Sequence, residues 1–266
     1  MEDAHIKRKR GTKMIDQKLI NDAYAGNAEA QRKLAELHYY GFGGNAKDIE
    51  LGLLWYTRAA ENGSSHAQYR VGRHYYFNDK TEEDWKKAIF WLQKSAENGC
   101  VDAQETLAYI YHRGAVAKRD PTLAVYWYNI AIQNGSVSAL HDLGNCYEDG
   151  YGVDVDYKKA ADLYQQATDL GSDDAEYFLG LCYRDGRGRE KDIHKAIQLL
   201  DECSFDVYEA RDALGDIYNY GAEGLDPNPS LAMAWYKHYL EEIEDDTVVE
   251  KYRKLRKAGY VACEDF

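Results

Sequence analysis

Residues 120–135 read DPTLAVYWYNIAIQNG, and the landmarks of this stretch recur every 36 residues along most of the chain. Each copy opens on an acidic or amide residue and carries a small residue four positions later, and most copies have a tryptophan three positions beyond it. The three columns are Asp48, Asp84, Asp120, Asp156, Asp192 and Asn228; Gly52, Ala88, Ala124, Ala160, Ala196 and Ala232; and Trp55, Trp91, Trp127, Leu163, Leu199 and Trp235. A fixed period of this length predicts stacked helical hairpins, because one hairpin alone cannot bury its apolar face.

Each unit is predicted to consist of a helix A, a turn and a helix B. The aspartate column is expected to cap helix B, because a carboxylate accepts hydrogen bonds from the exposed N–H groups of a first turn. The pairs Asp120-Pro121 and Asn228-Pro229 support this assignment, since proline is favoured at the first helical position. The tryptophan column is expected in the core, and Trp85, which lies off the column, is expected at the surface.

Helix A has a small residue at its middle in every unit: Ala35, Gly72, Ala108, Gly144, Gly180 and Gly215. Glycine inside a helix is less favourable than alanine by about 1 kcal/mol. Its recurrence therefore predicts that a large ring or another backbone lies close to this column. The expected rings are those of the tryptophan column or of the helix A tyrosines, which are Tyr75, Tyr111, Tyr147, Tyr183 and Tyr218.

The domain organisation follows from the same columns. Residues 1–13, MEDAHIKRKRGTK, show no periodicity and are predicted to be a disordered basic arm. Residues 14–26 are predicted to form an N-terminal capping helix, residues 27–240 six repeats, and residues 241–266 an acidic linker, a C-terminal capping helix and a tail. Six similar units in series favour a single elongated domain over separate globular ones.

Charge and composition disfavour several classes of partner. The net charge is −13, which disfavours nucleic acid and anionic membranes and favours a basic or mixed protein partner. No apolar run is long enough to span a membrane, no secretory signal is evident, and the five cysteines are irregularly placed. We therefore expect a cytoplasmic protein that acts as a monomer.

The sequence offers no catalytic motif. It has eight histidines, but it contains no His-Glu-x-x-His, no Cys-x-x-Cys, no phosphate-binding glycine loop and no nucleophile elbow. His112 and His141 would make a conceivable metal site beside Glu105 and Glu148 if adjacent units brought them together, but two histidines on a polar surface are more often solvated. We expect no catalytic residue, no metal and no cofactor.

The patterns Ala-x-x-x-Leu-Gly-x-x-Tyr-x-x-Gly in helix A and Asp-x-x-x-Ala-x-x-Trp-Tyr in helix B are clearest at residues 139–164 and 120–128. With them the chain resembles the Sel-one-like repeat (SLR) family, relatives of tetratricopeptide repeats, over roughly residues 27–240. The resemblance implies an all-α fold, a right-handed α-solenoid of about six helix-turn-helix repeats with capping helices at both ends. It also implies a non-enzymatic adaptor, since members look like scaffolds for other proteins, and some bacterial members resemble immunity proteins that neutralise a toxin.

The partner surface is predicted from the positions that vary. Counted from the first alanine of helix A, positions 2, 6 and 9 lie about 180–240° around the helix axis, opposite the fixed positions at about 0–80°. In the superfamily that the chain resembles, this face lines a concave groove. The predicted partner-binding residues are Tyr39, Tyr69, Arg73, Tyr76, Glu105, Tyr109, His112, His141, Glu148, Tyr177, Arg184, Asp212 and Asp216.

The composition of this face predicts an aromatic half-groove in units one to three and an anionic end at unit six. Tyrosine and arginine are enriched at binding hot spots, so Tyr69, Tyr76 and Tyr109 are expected to be exposed and to bind the partner. Two functions stay open. The first is an adaptor that reversibly holds a protein or peptide; the second is an immunity protein whose acidic surface occludes a cationic toxin.

Overall fold

Helical hairpins follow one another along the chain, as the columns predict. The computed structural model describes residues 15–42, 46–78, 81–114 and 118–263, so the basic arm predicted over residues 1–13 lies outside the described residues. The contacts divide the chain into two units, one ending at Gly135 and one beginning at Ser136, whereas the columns predict a single domain. In the first unit each helix packs against the next, and the helices are α1 (Gln17–Tyr24), α2 (Ala28–Tyr40), α3 (Ile49–Glu61), α4 (Ser65–Asn78), α5 (Glu82–Glu97), α6 (Val101–Arg113) and α7 (Pro121–Gln133).

The second unit repeats this arrangement. Its consecutively packed helices are α8 (Ser138–Asp149), α9 (Tyr157–Asp169), α10 (Asp173–Asp185), α11 (Ile193–Cys203), α12 (Tyr208–Tyr220), α13 (Pro229–Leu240) and α14 (Asp246–Lys257). The described residues form no β-strand, and an isolated bridge joins Ala222 to Leu225. The prediction of an all-α solenoid of about six repeats is therefore confirmed. None of the helices in the described ranges combines the length and the apolar character needed to cross a bilayer.

The aspartate column caps helix B in every repeat except the second. The capping side chain accepts a hydrogen bond at 2.9–3.1 Å from the N–H group three residues later, and the capping residues are Asp48, Asp120, Asp156, Asp192 and Asn228. The backbone N–H of the same residue donates to a carbonyl near the end of helix A, as Asp156 does to Tyr147 at 2.9 Å. Each cap therefore starts helix B and also ties it to helix A.

In the second repeat the prediction that Asp84 caps helix B is wrong. Helix α5 begins at Glu82, and Thr81 is its N-cap. The Thr81 hydroxyl accepts a hydrogen bond from the Asp84 N–H at 3.2 Å and donates one to the Asp84 carboxylate, so Asp84 is the third residue of the helix and a partner of its N-cap. The three acidic residues Glu82, Glu83 and Asp84 favour this earlier start, since they complement the positive end of the helix dipole.

The tryptophan column lies in the core, as predicted. Trp55, Trp127 and Trp235 are 4–7% exposed. Trp91 is half-buried and packs against the cluster that contains Trp55. Trp85 is half-buried, so the expectation that it lies fully at the surface is wrong.

A ring lies against two of the helix A glycines, Gly144 and Gly215, and it is not one of the expected rings; at Gly72 and Gly180 the neighbour is a leucine, Leu92 or Leu200. A Cβ atom placed on Gly144 would lie 2.5 Å from Tyr164 Cε1, and one placed on Gly215 would overlap Tyr236 in the same way. Both tyrosines stand directly after the tryptophan column, so the expectation of a tryptophan or of a helix A tyrosine is wrong. Glycine is required at these two positions because the ring fills the space of a side chain.

A buried glutamine joins consecutive hairpins in the first unit, and the columns do not predict it. Gln68 Nε2 donates to the carbonyl oxygen of Ala60 at 3.0 Å, and Gln68 Oε1 accepts from Asn98 Nδ2 at 3.0 Å. The same arrangement recurs at Gln31 with Asn62 and at Gln104 with Asn134. Each glutamine side chain therefore connects the ends of two successive helices B, and its polar atoms are satisfied in the core.

Candidate protein-binding groove

An open groove of about 250 Å³ lies in the first unit between helices α2 and α4, which are the helices A of successive repeats. We call it the arginine groove, and its lining residues are Tyr39, Tyr40, Arg70, Arg73, His74 and Phe77. Tyr39 and Tyr40 are the last residues of α2, which ends at Gly41 because that residue adopts a φ of 72°. The groove therefore lies beside the C-terminal end of α2.

Helix α4 presents its groove residues on one face because Arg70, Arg73 and Phe77 follow an i, i+3, i+7 spacing. The guanidinium carbon of Arg70 lies 5.8 Å from the ring centre of Tyr40, and that of Arg73 lies 5.4 Å from the ring centre of Phe77. A cation within about 6 Å of an aromatic ring centre is attracted to the ring. The rings of the groove therefore hold the two guanidinium groups in place.

Neither groove arginine contacts a carboxylate in the part of the chain that the structure describes. Arg70 Nε donates to His66 Nε2 at 3.2 Å, and Arg73 Nη1 lies 3.4 Å from the Tyr69 hydroxyl. Burial lowers the pKa of His66, and neighbouring arginine charges lower it further, so His66 is a neutral acceptor at neutral pH. The arginine groove is consequently a cationic site in an acidic chain.

Aromatic residues continue from the groove towards helix α6. The Tyr76 ring contacts Phe77 edge to face, with ring centres 4.8 Å apart. Burial and Tyr109 raise the pKa of Tyr76, whereas the charge of Arg113 lowers it. Phe77 is 60% exposed and Tyr109 is 47% exposed. Tyr76 and Tyr109, both predicted binding residues, therefore extend the aromatic surface beyond the groove.

Tyr69 is buried, and the expectation of an exposed ring is wrong. The residue is 8% exposed. Arg73, one helical turn later, covers it, with the guanidinium carbon 6.0 Å from the Tyr69 ring centre. The prediction used only the angle of Tyr69 around its helix axis, and it took no account of a long neighbouring side chain that packs over the ring.

The other predicted residues of the first unit lie on helix α6. Glu105 and His112 are both half-buried. His112 Nδ1 lies 3.5 Å from the Tyr128 hydroxyl, and the two ring centres are 6.3 Å apart. His112 thus contacts helix α7 of its own hairpin, and its role in binding stays a prediction.

In the second unit, His141 and Glu148 belong to a network around the hydroxyl of Tyr164. That hydroxyl lies 2.6 Å from Asn145 Oδ1 and 2.9 Å from Glu148 Oε2. Glu148 also forms an ion pair with Arg187, and Asn145 Nδ2 lies 3.2 Å from His141 Nε2. Burial and the Glu148 carboxylate raise the pKa of Tyr164, so its hydroxyl stays protonated. The network joins α8 to α9 and, through Arg187, to the loop that follows α10.

Tyr177 and Arg184 on helix α10 also have partners inside the second unit. The Tyr177 ring packs edge to face on Phe178, with ring centres 5.1 Å apart, and burial raises the Tyr177 pKa. Arg184 forms two hydrogen bonds with Asp185, at 2.7 Å and 3.0 Å. The arginine charge is therefore already matched by a carboxylate, in contrast to Arg70 and Arg73.

The anionic end predicted at the sixth repeat is partly neutralised by a lysine of the C-terminal helix. Lys251 Nζ lies 2.8 Å and 3.0 Å from the two carboxylate oxygens of Asp212 and 2.9 Å from an oxygen of Asp216. The Tyr236 hydroxyl donates to Asp216 Oδ1 at 2.7 Å. Because Lys251 belongs to helix α14, the C-terminal helix supplies one cation to two carboxylates, whose side chains remain 29% and 33% exposed, so part of the predicted negative charge remains.

The side chains of the described ranges also bear on metal binding. No group of three or more His, Cys, Asp or Glu side chains there is arranged to hold a metal ion. Of the residues considered for such a site, Glu105 and His112 lie in the first unit, whereas His141 and Glu148 lie in the second.

Four lining residues of the arginine groove are absent from the sequence-based prediction: Tyr40, Arg70, His74 and Phe77. Positions 2, 6 and 9 of helix A omit them because the groove lies between two helices, where residues beside those positions also contribute. A signal was nevertheless present in the sequence. The first two repeats end helix A on aromatic pairs, Tyr39-Tyr40 and Tyr76-Phe77.

Comparison with known proteins identifies the repeat. The model of the Sel1 repeat matches residues 28–64, 65–100, 101–136, 137–172, 173–202 and 209–237. No curated protein is significantly similar to the chain.

Solved structures agree on the fold. The chain is similar to a Sel1 repeat protein from Oxalobacter formigenes, with a TM-score of 0.77 and 26% identity over 85% of this chain and 92% of that one. It is also similar to a protective antigen of uropathogenic Escherichia coli with an SLR fold, with a TM-score of 0.62 and 23% identity over 91% of this chain and 59% of that one. An immunity protein from Pseudomonas aeruginosa aligns with a TM-score of 0.43 and 22% identity over 71% of this chain and 72% of that one, a likeness too weak to carry an inference.

Proposed function

The chain belongs to the Sel1 repeat family, whose members are protein-interaction scaffolds, and on that premise we propose that it binds a segment of another protein in the arginine groove. The proposed role is that of a non-enzymatic adaptor. The observation that carries the proposal is the combination of exposed rings and carboxylate-free arginines in one groove of the first unit.

The groove has the composition of a binding hot spot. Tyr40 is 37% exposed and Phe77 is 60% exposed, and each ring faces a guanidinium group. Aromatic and arginine side chains contribute disproportionately to protein interfaces because they bury a large area and lose little conformational entropy. A volume of about 250 Å³ is suited to one or two side chains of a peptide. The groove therefore fits a protein segment better than a cofactor, which commonly needs about 300–1,000 Å³.

A selection of phage-displayed random peptides on the intact chain tests this function. We expect the selected peptides to lose binding to the double variant Tyr40→Ala/Phe77→Ala. The matched control is Phe205→Ala/Tyr220→Ala, which removes the same two residue types from exposed positions of the second unit, 79% and 71% exposed. Equal binding of the selected peptides to the intact chain and to the groove variant would refute the groove as the site.

An immunity protein is the second candidate, and the net charge of −13 is the observation that favours it. Such a protein would bind one basic toxin through its acidic surface, with fast and salt-sensitive association. The groove is cationic, so a basic toxin would bind elsewhere. A one-to-one complex of nanomolar or tighter affinity that is unchanged in Tyr40→Ala/Phe77→Ala would favour inhibition over the adaptor role.

We further propose that the chain acts as a cytoplasmic monomer in a bacterium. All five cysteines lie in the described residues and are unpaired thiols, which fits a reducing compartment. The solved relatives with TM-scores of 0.77 and 0.62 come from bacteria. Sedimentation at several concentrations checks the monomer.

A further inference from the structure

We propose that the segment held in the arginine groove is acidic, with aspartate or glutamate carboxylates of a partner protein bound by Arg70 and Arg73. This inference rests on the proposed function and specifies its ligand. It also reverses the expectation, drawn from the net charge of the chain, that the partner is basic at this site.

Arg70 and Arg73 have hydrogen-bond donors that they do not use within the described part of the chain. A guanidinium group carries five N–H donors. Arg70 directs its Nε to His66, and Arg73 makes one long contact, from Nη1 to the Tyr69 hydroxyl at 3.4 Å. Within the described residues no carboxylate lies within ion-pairing distance of either group. Both arginines therefore keep donors for a ligand.

Aromatic rings hold both guanidinium groups in the groove. Arg70 faces the Tyr40 ring at 5.8 Å, and Arg73 faces the Phe77 ring at 5.4 Å. A guanidinium group held over a ring by cation–π attraction does not use its N–H donors on a carboxylate, and its fork of donors matches the two oxygens of a carboxylate. The aromatic walls would also bury the methylene groups of an aspartate or glutamate side chain.

The charged groups around the arginine groove are mostly positive. Two carboxylates, Glu36 and Asp102, act on His66; Glu36 lies 3.8 Å from it and already forms an ion pair with Arg32. Arg113 adds a further positive charge beside Tyr76. Some other arginines of the described residues are matched by carboxylates, as Arg184 is by Asp185. The potential at the groove is therefore positive although the chain as a whole is acidic.

The net negative charge of the whole chain disfavours long anionic ligands more than short ones. A long polyanion such as nucleic acid would meet the repulsion of the remaining surface, since its affinity depends on many phosphate contacts. A short acidic segment requires only the two groove arginines. A protein segment with two carboxylates and an adjacent apolar residue fits both the charge and the rings.

The test uses the peptides selected on the intact chain. Each recovered peptide is made as a fluorescein conjugate, together with a counterpart in which every Asp and Glu is replaced by Asn and Gln, and binding is measured by fluorescence anisotropy. We expect acidic peptides to be recovered. The amide counterpart should bind about tenfold more weakly or worse, because hydrogen bonds between two charged partners are about twice as strong as neutral ones.

The variant Arg70→Gln/Arg73→Gln should show the same loss for the acidic peptide and little further loss for the amide counterpart. The matched control is Arg253→Gln/Arg256→Gln, which removes the same charge from exposed positions of helix α14 and should leave binding unchanged. The difference between the groove variant and the control should shrink at high salt. Circular dichroism and thermal melting establish that both variants are folded.

The outcomes separate the two proposals. Neutral or basic peptides that depend on Tyr40 and Phe77 but not on the arginines would overturn the acidic ligand and leave the binding function standing. Peptides whose binding is unchanged by the Tyr40/Phe77 substitutions and by the Arg70/Arg73 substitutions would overturn both proposals. Self-association of the chain that is lost in Arg70→Gln/Arg73→Gln would show that a second copy is the occupant, and would overturn a partner of different sequence.

Discussion

The buried glutamine of the first unit leads to a specific prediction about stability. Replacing Gln68 by leucine keeps the approximate volume of the side chain and removes both of its hydrogen bonds. The chain itself places a leucine, Leu140, at the equivalent position in the second unit, where it is 4% exposed. The substitution is therefore compatible with a packed repeat, and its effect reports on the hydrogen bonds.

The expected loss of stability follows from what happens to the two hydrogen-bond partners of Gln68. The carbonyl of Ala60 keeps a hydrogen bond from the Gly63 N–H at 3.1 Å, so it is not left without a partner. The Asn98 side chain is exposed, so water replaces Gln68 Oε1. Two hydrogen bonds at about 1 kcal/mol each, with neither partner left buried and unsatisfied, give an expected loss of about 1–2 kcal/mol. Gln68→Ala should cost more, because it also leaves a cavity.

Urea unfolding followed by tryptophan fluorescence measures this loss in the relevant unit. Four of the five tryptophans, Trp55, Trp85, Trp91 and Trp127, lie in the first unit. The control is Gln133→Leu, the same chemical change at an exposed position of α7, which should alter stability by no more than about 0.5 kcal/mol. If Gln68→Leu is as stable as the intact chain, the hydrogen bonds do not hold the hairpins together and the reasoning fails.

Two further predictions concern charged groups of the second unit. Lys251→Met should lower the free energy of unfolding by about 2 kcal/mol at neutral pH, because Asp212 and Asp216 lose their cation. This value lies between those for exposed and buried ion pairs. Lys254→Met, exposed on the same helix, is the control in urea unfolding, and equal losses in the two variants would contradict the role of the ion pair. Burial and a hydrogen bond to a neighbouring glutamate raise the pKa of Glu176 from 4.5 to about 7. The folded chain therefore holds a proton that the unfolded chain releases, so the free energy of unfolding should fall as pH rises between these two values. Glu176→Gln should remove that slope, and an unchanged pH dependence of the urea midpoint would count against the assignment.

The fold was predictable because it depends on residues that repeat. The N-caps formed by Asp48 and Asp120 and the buried Trp55 and Trp127 could be assigned from their columns, since local hydrogen bonding and burial act in the same way in each copy. The cap of α5 was not predictable in this way. Thr81 competes with the column residue for the first turn, and the outcome depends on a local sequence that occurs once.

The candidate site was only partly predictable, for two physical reasons. A helical wheel describes one helix, whereas the arginine groove is formed by two, so Tyr40 and Arg70 were missed. A wheel also ignores side chains that cover one another, and so it predicted Tyr69 to be exposed although Arg73 covers it. Ion pairs between distant residues, such as Lys251 with Asp212, leave no periodic signal in the sequence.

The availability of Arg73 can be traced to the residue that faces its position in helix B. In the last hairpin the equivalent position of helix A is Asp216, and it accepts a hydrogen bond from the Tyr236 hydroxyl of helix B at 2.7 Å. In the α4–α5 hairpin the residue in the place of Tyr236 is Leu92, which has no hydroxyl. Arg73 therefore receives no polar contact from that position of helix B and remains exposed beside Phe77. The same column thus accepts a hydrogen bond from helix B in one repeat, whereas in another, where helix B supplies leucine, it holds the arginine that we propose binds the partner.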